Sequence, residues 1–179
     1  MRIMLATLIF ALPLAATAAE EPDEATLRRN FAGLDGVAAR CIVSTKEKYA
    51  ERICEMIAAK LTEVLEGAGV PVVYSSVSSP DEHARQVAEA KMASPLELEF
   101  HVRGTSGGNV GSTAMIQASV AYDSAVEAGS AGPGRSGRLL LWQEAVVAEG
   151  PRAKMAPGIG GYMQAKLGDF LERFVKYRN

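Results

Sequence analysis

LELEFHVRGTSGGNVGSTAMIQASVAYD, residues 96–123, reads as two alternating strands around a glycine-rich turn. Leu96, Leu98, Phe100 and Val102 fall on one side of the first strand, with Glu97, Glu99, His101 and Arg103 on the other. That period of two marks a half-buried β-strand. In the second strand Ala114, Ile116, Ala118, Val120 and Tyr122 share a face, opposite Gln117, Ser119 and Asp123. The glycines between them suit a hairpin that needs positive φ.

Upstream, VAARCIV (37–43) reads as a strand. Ser44 with Glu47 three residues later is a capping box. Ala50, Ile53, Cys54, Ile57, Leu61, Val64 and Leu65 then recur at helical spacing, and Gly67 and Gly69 end that helix. VPVVYSSV (70–77) is the next strand. Ser79 as N-cap, Pro80 and Glu82 open a second helix that runs to about Met92.

Downstream, residues 124–137 (SAVEAGSAGPGRSG) read as a flexible connection. RLLLWQEAVVAE (138–149) is a strand with apolar residues on both faces near Trp142, and 151–161 reads as a loop. The last helix, about 161–177, puts Met163, Leu167, Phe170, Leu171 and Phe174 on one side. The order is β-α-β-α-β-β-β-α. Short turns make the last three strands an antiparallel meander, and a helical connection makes the first two parallel and right-handed. The expected fold is α/β, an α+β two-layer arrangement. It has a mixed sheet of about five strands and helices largely on one face.

Residues 1–19 carry the three-part pattern of a secretory signal peptide: Arg2, an apolar run from Ile3 to Leu14, then Ala16-Thr17-Ala18. Cleavage is expected after Ala18 or Ala19, leaving a flexible 20–35 segment and a single domain over 36–179, in the periplasm or secreted. The apolar run is shorter than the roughly 20 residues a bilayer span requires. Losing residues 1–19 removes one of the 19 basic residues and none of the 21 acidic ones, so the net charge moves from −2 to −3. With no basic block, nucleic acid is excluded as a partner class.

Cys41 and Cys54 are the only cysteines. Their C-x12-C spacing is no thioredoxin motif, and His83 and His101 complete no zinc set. A helix folded back on its own strand could bring the pair into bonding range. Two readings stand, a disulfide in an oxidising compartment or two buried thiols.

Gly104-Thr105-Ser106-Gly107-Gly108 fits the G-x-S-x-G pattern of serine hydrolases. That elbow needs strand, serine, then helix, whereas Ser106 lies between two strands and no histidine follows it. The turn reading is preferred, with a hydrolase using Ser106 as an alternative. Glu97 and Glu99 read as a solvated face rather than a catalytic pair. Tyr122 and Trp142 read as core more than as ligand platforms. Gly158-Ile159-Gly160-Gly161 reads as a helix-entry loop. No cofactor is implied.

Three stretches resemble a known family. KLTEVLEGAGVPVVYSS (60–76), EHARQVAEAKMASPLELEFHVRG (82–104) and SGRLLLWQEAVVAEG (136–150) look like elements of the amino-terminal domain of TolB and of the related CsgG- and FlgO-like envelope proteins. The resemblance covers about residues 37–178. Neither a lipoprotein cysteine nor a propeller after the domain is expected. The resemblance implies an assembly or coupling part of the cell envelope that is not an enzyme.

The expectation is thus a non-catalytic periplasmic domain that binds another cell-envelope protein. The expected surface is the sheet face away from the helices, presenting His101, Arg103, Met115, Gln117 and Trp142. The alternative is a small-ligand-binding protein, with a pocket between the sheet and the loops at 104–112 and 157–161.

Overall fold

The computed structural model describes residues 23–76, 79–107, 109–124 and 135–178. The signal-peptide reading of 1–19 and most of the 124–137 connection lie outside these residues. Helix α1 spans Glu24–Phe31, strand β1 Gly36–Ser44 and helix α2 Lys48–Gly67. Strand β2 (Val72–Ser75), helix α3 (Pro80–Glu89) and strand β3 (Pro95–Gly104) follow. Strands β4 (Asn109–Ser124) and β5 (Arg135–Pro151) complete the sheet. The chain then continues through α4 (Arg152–Met155), a π-helical turn (Ala156–Gly160) and α5 (Gly161–Tyr177). Among these, no helix is long and apolar enough to cross a membrane.

The sheet order is β2-β1-β3-β4-β5. β1 pairs parallel with β2 and β3, whereas β3, β4 and β5 form the expected antiparallel meander. The α/β two-layer fold is therefore as expected. β2 and β3 lie on opposite sides of β1, so two right-handed crossovers must place their helices on opposite faces. Consecutive residues of β2 record this. Tyr74 donates its hydroxyl to the Cys54 carbonyl on α2 at 3.1 Å, and Ser75 Oγ lies 2.8 Å from His83 Nδ1 on α3.

α2 and α5 cover one face. Ile53, Ile57, Leu61 and Leu65 of α2, Met163, Leu167 and Phe174 of α5, and Leu96, Leu98, Phe100 and Ile116 of the sheet are fully buried. Each such side chain contributes about 1.5–3 kcal/mol on burial. Cys41 and Cys54 are bridged, with Cα atoms 5.9 Å apart, tying β1 to α2.

Four local readings change. Residues 24–31 are helical rather than loosely packed. Asp23 caps them by accepting from the Thr26 amide at 2.8 Å, and Phe31 stands edge-on to Phe170 and Phe174 at 5.8 and 5.5 Å. The Ser44/Glu47 capping box does not form, because Ser44 belongs to β1, in register with Arg103. Glu47 is instead the N-cap, with no side-chain cap bond, and its carboxylate pairs with Arg152 at 3.0 Å. α3 stops at Glu89, and Lys91 takes a φ of 57°, the left-handed conformation usual for glycine. The 151–161 stretch is no loop: α4 runs through the π turn into α5, and the turn absorbs Pro157, which lacks the amide an α-helix needs.

Candidate functional site

Among the described residues α3 packs on β2 and walls a cleft with β1, β3 and Arg138 of β5, while farther along the same face Arg103, Thr113 and Val147 stand exposed. The strand registers resolve that face into rows running across the sheet. Ser75, Arg40, Glu99, Gln117 and Gln143 form one row through all five strands. Next come Ile42, His101, Met115 and Ala145, then Ser44, Arg103, Thr113 and Val147. On the other side of the polar row stand Ala38, Glu97, Ser119 and Leu140.

Glu99 is the hub. Arg40, directly across the strand pair, donates Nε at 3.1 Å and Nη2 at 2.5 Å to its Oε1. Arg138 reaches over β4 to donate at 3.0 Å to the same oxygen and also bridges Glu97. His101 Nε2 lies 3.3 Å from Glu99 Oε2. Burial alone would raise the Glu99 carboxyl; the bonds from Arg40 and Arg138, with the Arg40 charge and His101, outweigh it and hold the group below the usual carboxylate range. His83, on α3 above this cluster, is pushed down by desolvation and then by the Arg40 charge, against the pull of Glu99. Between α3 and the sheet opens a cleft of about 490 Å³, with Arg40, His83, Glu97, Glu99 and Arg138 among its walls.

Four of the five residues expected on this face are there. Arg103 is exposed, while His101, Met115 and Gln117 are half-buried, the last donating to Gln143 at 3.1 Å. Trp142 is not with them. It pairs with Ala118 on the helix side and stacks on Phe170, centroids 4.6 Å apart and planes 11° from parallel. The cause is a bulge between β4 and β5. Ser119 pairs with Leu140 and Ala118 with Trp142, so Leu141 is the extra residue. The Tyr122 side chain lies outside what is described.

Ser106 is exposed in the β3–β4 hairpin, where Thr105 and Gly111 exchange hydrogen bonds and Gly107 takes a φ of 147°. Among the described residues no hydrogen bond joins Ser106 to a histidine, and none of the acidic, cysteine and histidine side chains group as a metal site would need. The hairpin borders a shallow hollow of about 340 Å³ on the open face, with Arg103, Thr113 and Val147. Among the described residues, that hollow is not lined by the 157–161 stretch. Ile159 and Gly160 are buried, and a side chain at Gly160 would overlap Met56 of α2.

The cluster around Glu99 was missed as a unit. Arg40 carried a signal: a lone charge inside the apolar strand GVAARCIV demands a partner when buried. Arg138 carried none, since only the register brings it over β4.

No protein-family model matches the chain, and no curated protein matches it. Among solved structures, a PelC dodecamer from Paraburkholderia phytofirmans is similar over 76% of this chain and 89% of its own. The identity is 12% and the TM-score 0.36. At that level the likeness carries no argument about this chain.

Proposed function

We propose that this chain is an exported, non-catalytic periplasmic domain that binds another cell-envelope protein through the open face of β3, β4 and β5. The observation that carries the reading is the uncovered row of Arg103, Thr113 and Val147, with Val147 78% exposed. Arginine is enriched in protein interfaces, and the exposed valine beside it adds apolar area that a partner can bury. The Cys41–Cys54 disulfide supports export, since such bonds persist in oxidising compartments. The signal-peptide pattern and the resemblance to TolB- and CsgG-like domains support the same reading. The test is crosslinked co-purification from the protein's own cell envelope. Wild type should capture a defined protein that Arg103→Glu/Thr113→Glu loses while still folded. A partner kept by that variant refutes the surface.

The cleft under α3 supports a second reading, a small-ligand-binding protein. Its volume is in the range of ligand sites, roughly 300–1,000 Å³. A rise in melting temperature across a metabolite panel, lost in Arg138→Ala, would favour it.

A further inference from the structure

The two edges of the sheet are unlike. β2 is four residues long and follows directly on Pro71, both devices that blunt an edge. β5 is 17 residues long and holds neither lysine nor, before its last residue, proline. It is paired through its length with β4 and ends the sheet order, so its outer backbone groups face no other strand of the sheet. The described side chains that are large, apolar and well exposed gather here. Leu139, Leu140 and Val147 are 50, 51 and 78% exposed, and Tyr162, the fourth, donates to Glu144 of the same strand. On the helix side, a groove of about 260 Å³ runs beside this edge over Leu141, Trp142 and Phe170. Lys166 and Asp169 stand at its rim.

We propose that β5 pairs antiparallel with β5 of a second copy of this chain, joining two sheets about a two-fold axis. An extended strand is the ligand an open edge accepts, because it supplies the missing backbone partners. Two features select this strand as the occupant. A strand laid on β5 must be apolar on both sides of the sheet, to cover Leu140 and Val147 on one and the Trp142 groove on the other. β5 is itself such a strand. Its charges are also divided along its length. Arg135–Leu141 holds two arginines and no acid, and Trp142–Pro151 holds two glutamates and no base. Antiparallel pairing sets each basic half against the other copy's acidic half, whereas parallel pairing sets like against like. Arg138 can take part, since half its side-chain surface stays exposed while it bridges Glu97 and Glu99. The inference shares Val147 with the open-face reading, but it is tested at Leu139, Leu140 and Glu149, which that reading does not use, so either can fail alone.

The experiment is sedimentation velocity on the mature, oxidised protein up to about 100 µM, above the micromolar Kd at the weak end of standard-sized interfaces. Wild type should sediment as a dimer. Leu139→Lys/Leu140→Lys, at half-exposed positions, should sediment as a monomer with unchanged circular dichroism. Glu149→Arg, which sets basic against basic, should weaken the dimer on its own. A monomeric wild type overturns the proposal. So does a dimer that both variants leave intact, since that dimer would be built elsewhere.

Discussion

Gly104 and Tyr49 test how tightly the hairpin is seated on α2. Tyr49 stands in the first turn of α2, 6% exposed, and its buried hydroxyl has no hydrogen-bond partner among the described residues. That hydroxyl lies against Gly104, the last residue of β3. A methyl group at 104 would overlap it and come within 3.0 Å of Cζ. Gly104→Ala should therefore cost about 1–3 kcal/mol by overpacking. Tyr49→Phe keeps the ring and removes the orphaned hydroxyl, whose desolvation is worth about 1–3 kcal/mol. It should be neutral to stabilising. In the double variant only the 3.0 Å approach to Cζ remains, so most of the alanine's cost should vanish. The coupling should then be about 1 kcal/mol or more, measured as a double-mutant cycle from urea unfolding followed by circular dichroism. Additivity within about 0.5 kcal/mol would refute the packing account. A loss of stability in Tyr49→Phe alone would show that the hydroxyl has a partner.

Removing the disulfide should weaken the fold as a whole. With the cysteines 13 positions apart, the chain-entropy relation gives about 3 kcal/mol for Cys41→Ala/Cys54→Ala. An unchanged urea midpoint would mean that the denatured chain keeps β1 and α2 together. The second prediction concerns pH. The folded protein holds His83 below its ordinary value, so it favours the neutral ring. The associated stability is complete above the unfolded value, about 6.5, and is lost as pH falls through the folded value. Glu99 is also depressed, and its contribution is lost only in the acid carboxylate range. α3 amides should therefore lose hydrogen-exchange protection below about pH 6.5, while β3 amides hold until the carboxylates titrate. Equal loss in both elements across that window would break the link between His83 and α3 docking.

The parts of the fold that were legible in the sequence are those with one dominant period. Alternation over 96–103 placed Leu96, Leu98, Phe100 and Val102 in the core, where all four are buried. Helical spacing from Ala50 to Leu65 placed the buried face of α2 in the same way. The misread parts are those where a distant contact outweighs the local signal. Phe31 sits in a short polar helix of modest intrinsic stability. That helix is held by the aromatic ring pair on α5, more than 130 residues on. Pro157 and the surrounding glycines look like a loop by composition. They are helical because Ile159 and Gly160 are packed against α2.

Trp142 shows why a strand's faces cannot always be counted off its own residues. Arg138 and Gln143 both point to the open face, the first to Glu97 and Glu99, the second to Gln117. They are five residues apart, an odd number, and a regular strand would put them on opposite sides. One residue must be inserted between them. The apolar run from Leu139 to Trp142 supplies it, and the bulge turns Leu141 and Trp142 together toward the helices. Trp142 then stacks on Phe170, where its ring covers core instead of standing on the polar face. A regular β5 that kept Arg138 on its glutamates would carry Trp142, four residues on, to the open side and turn Gln143 away from Gln117. The placement of the tryptophan is thus a consequence of the polar row. That row becomes visible only once β3, β4 and β5 are set in register.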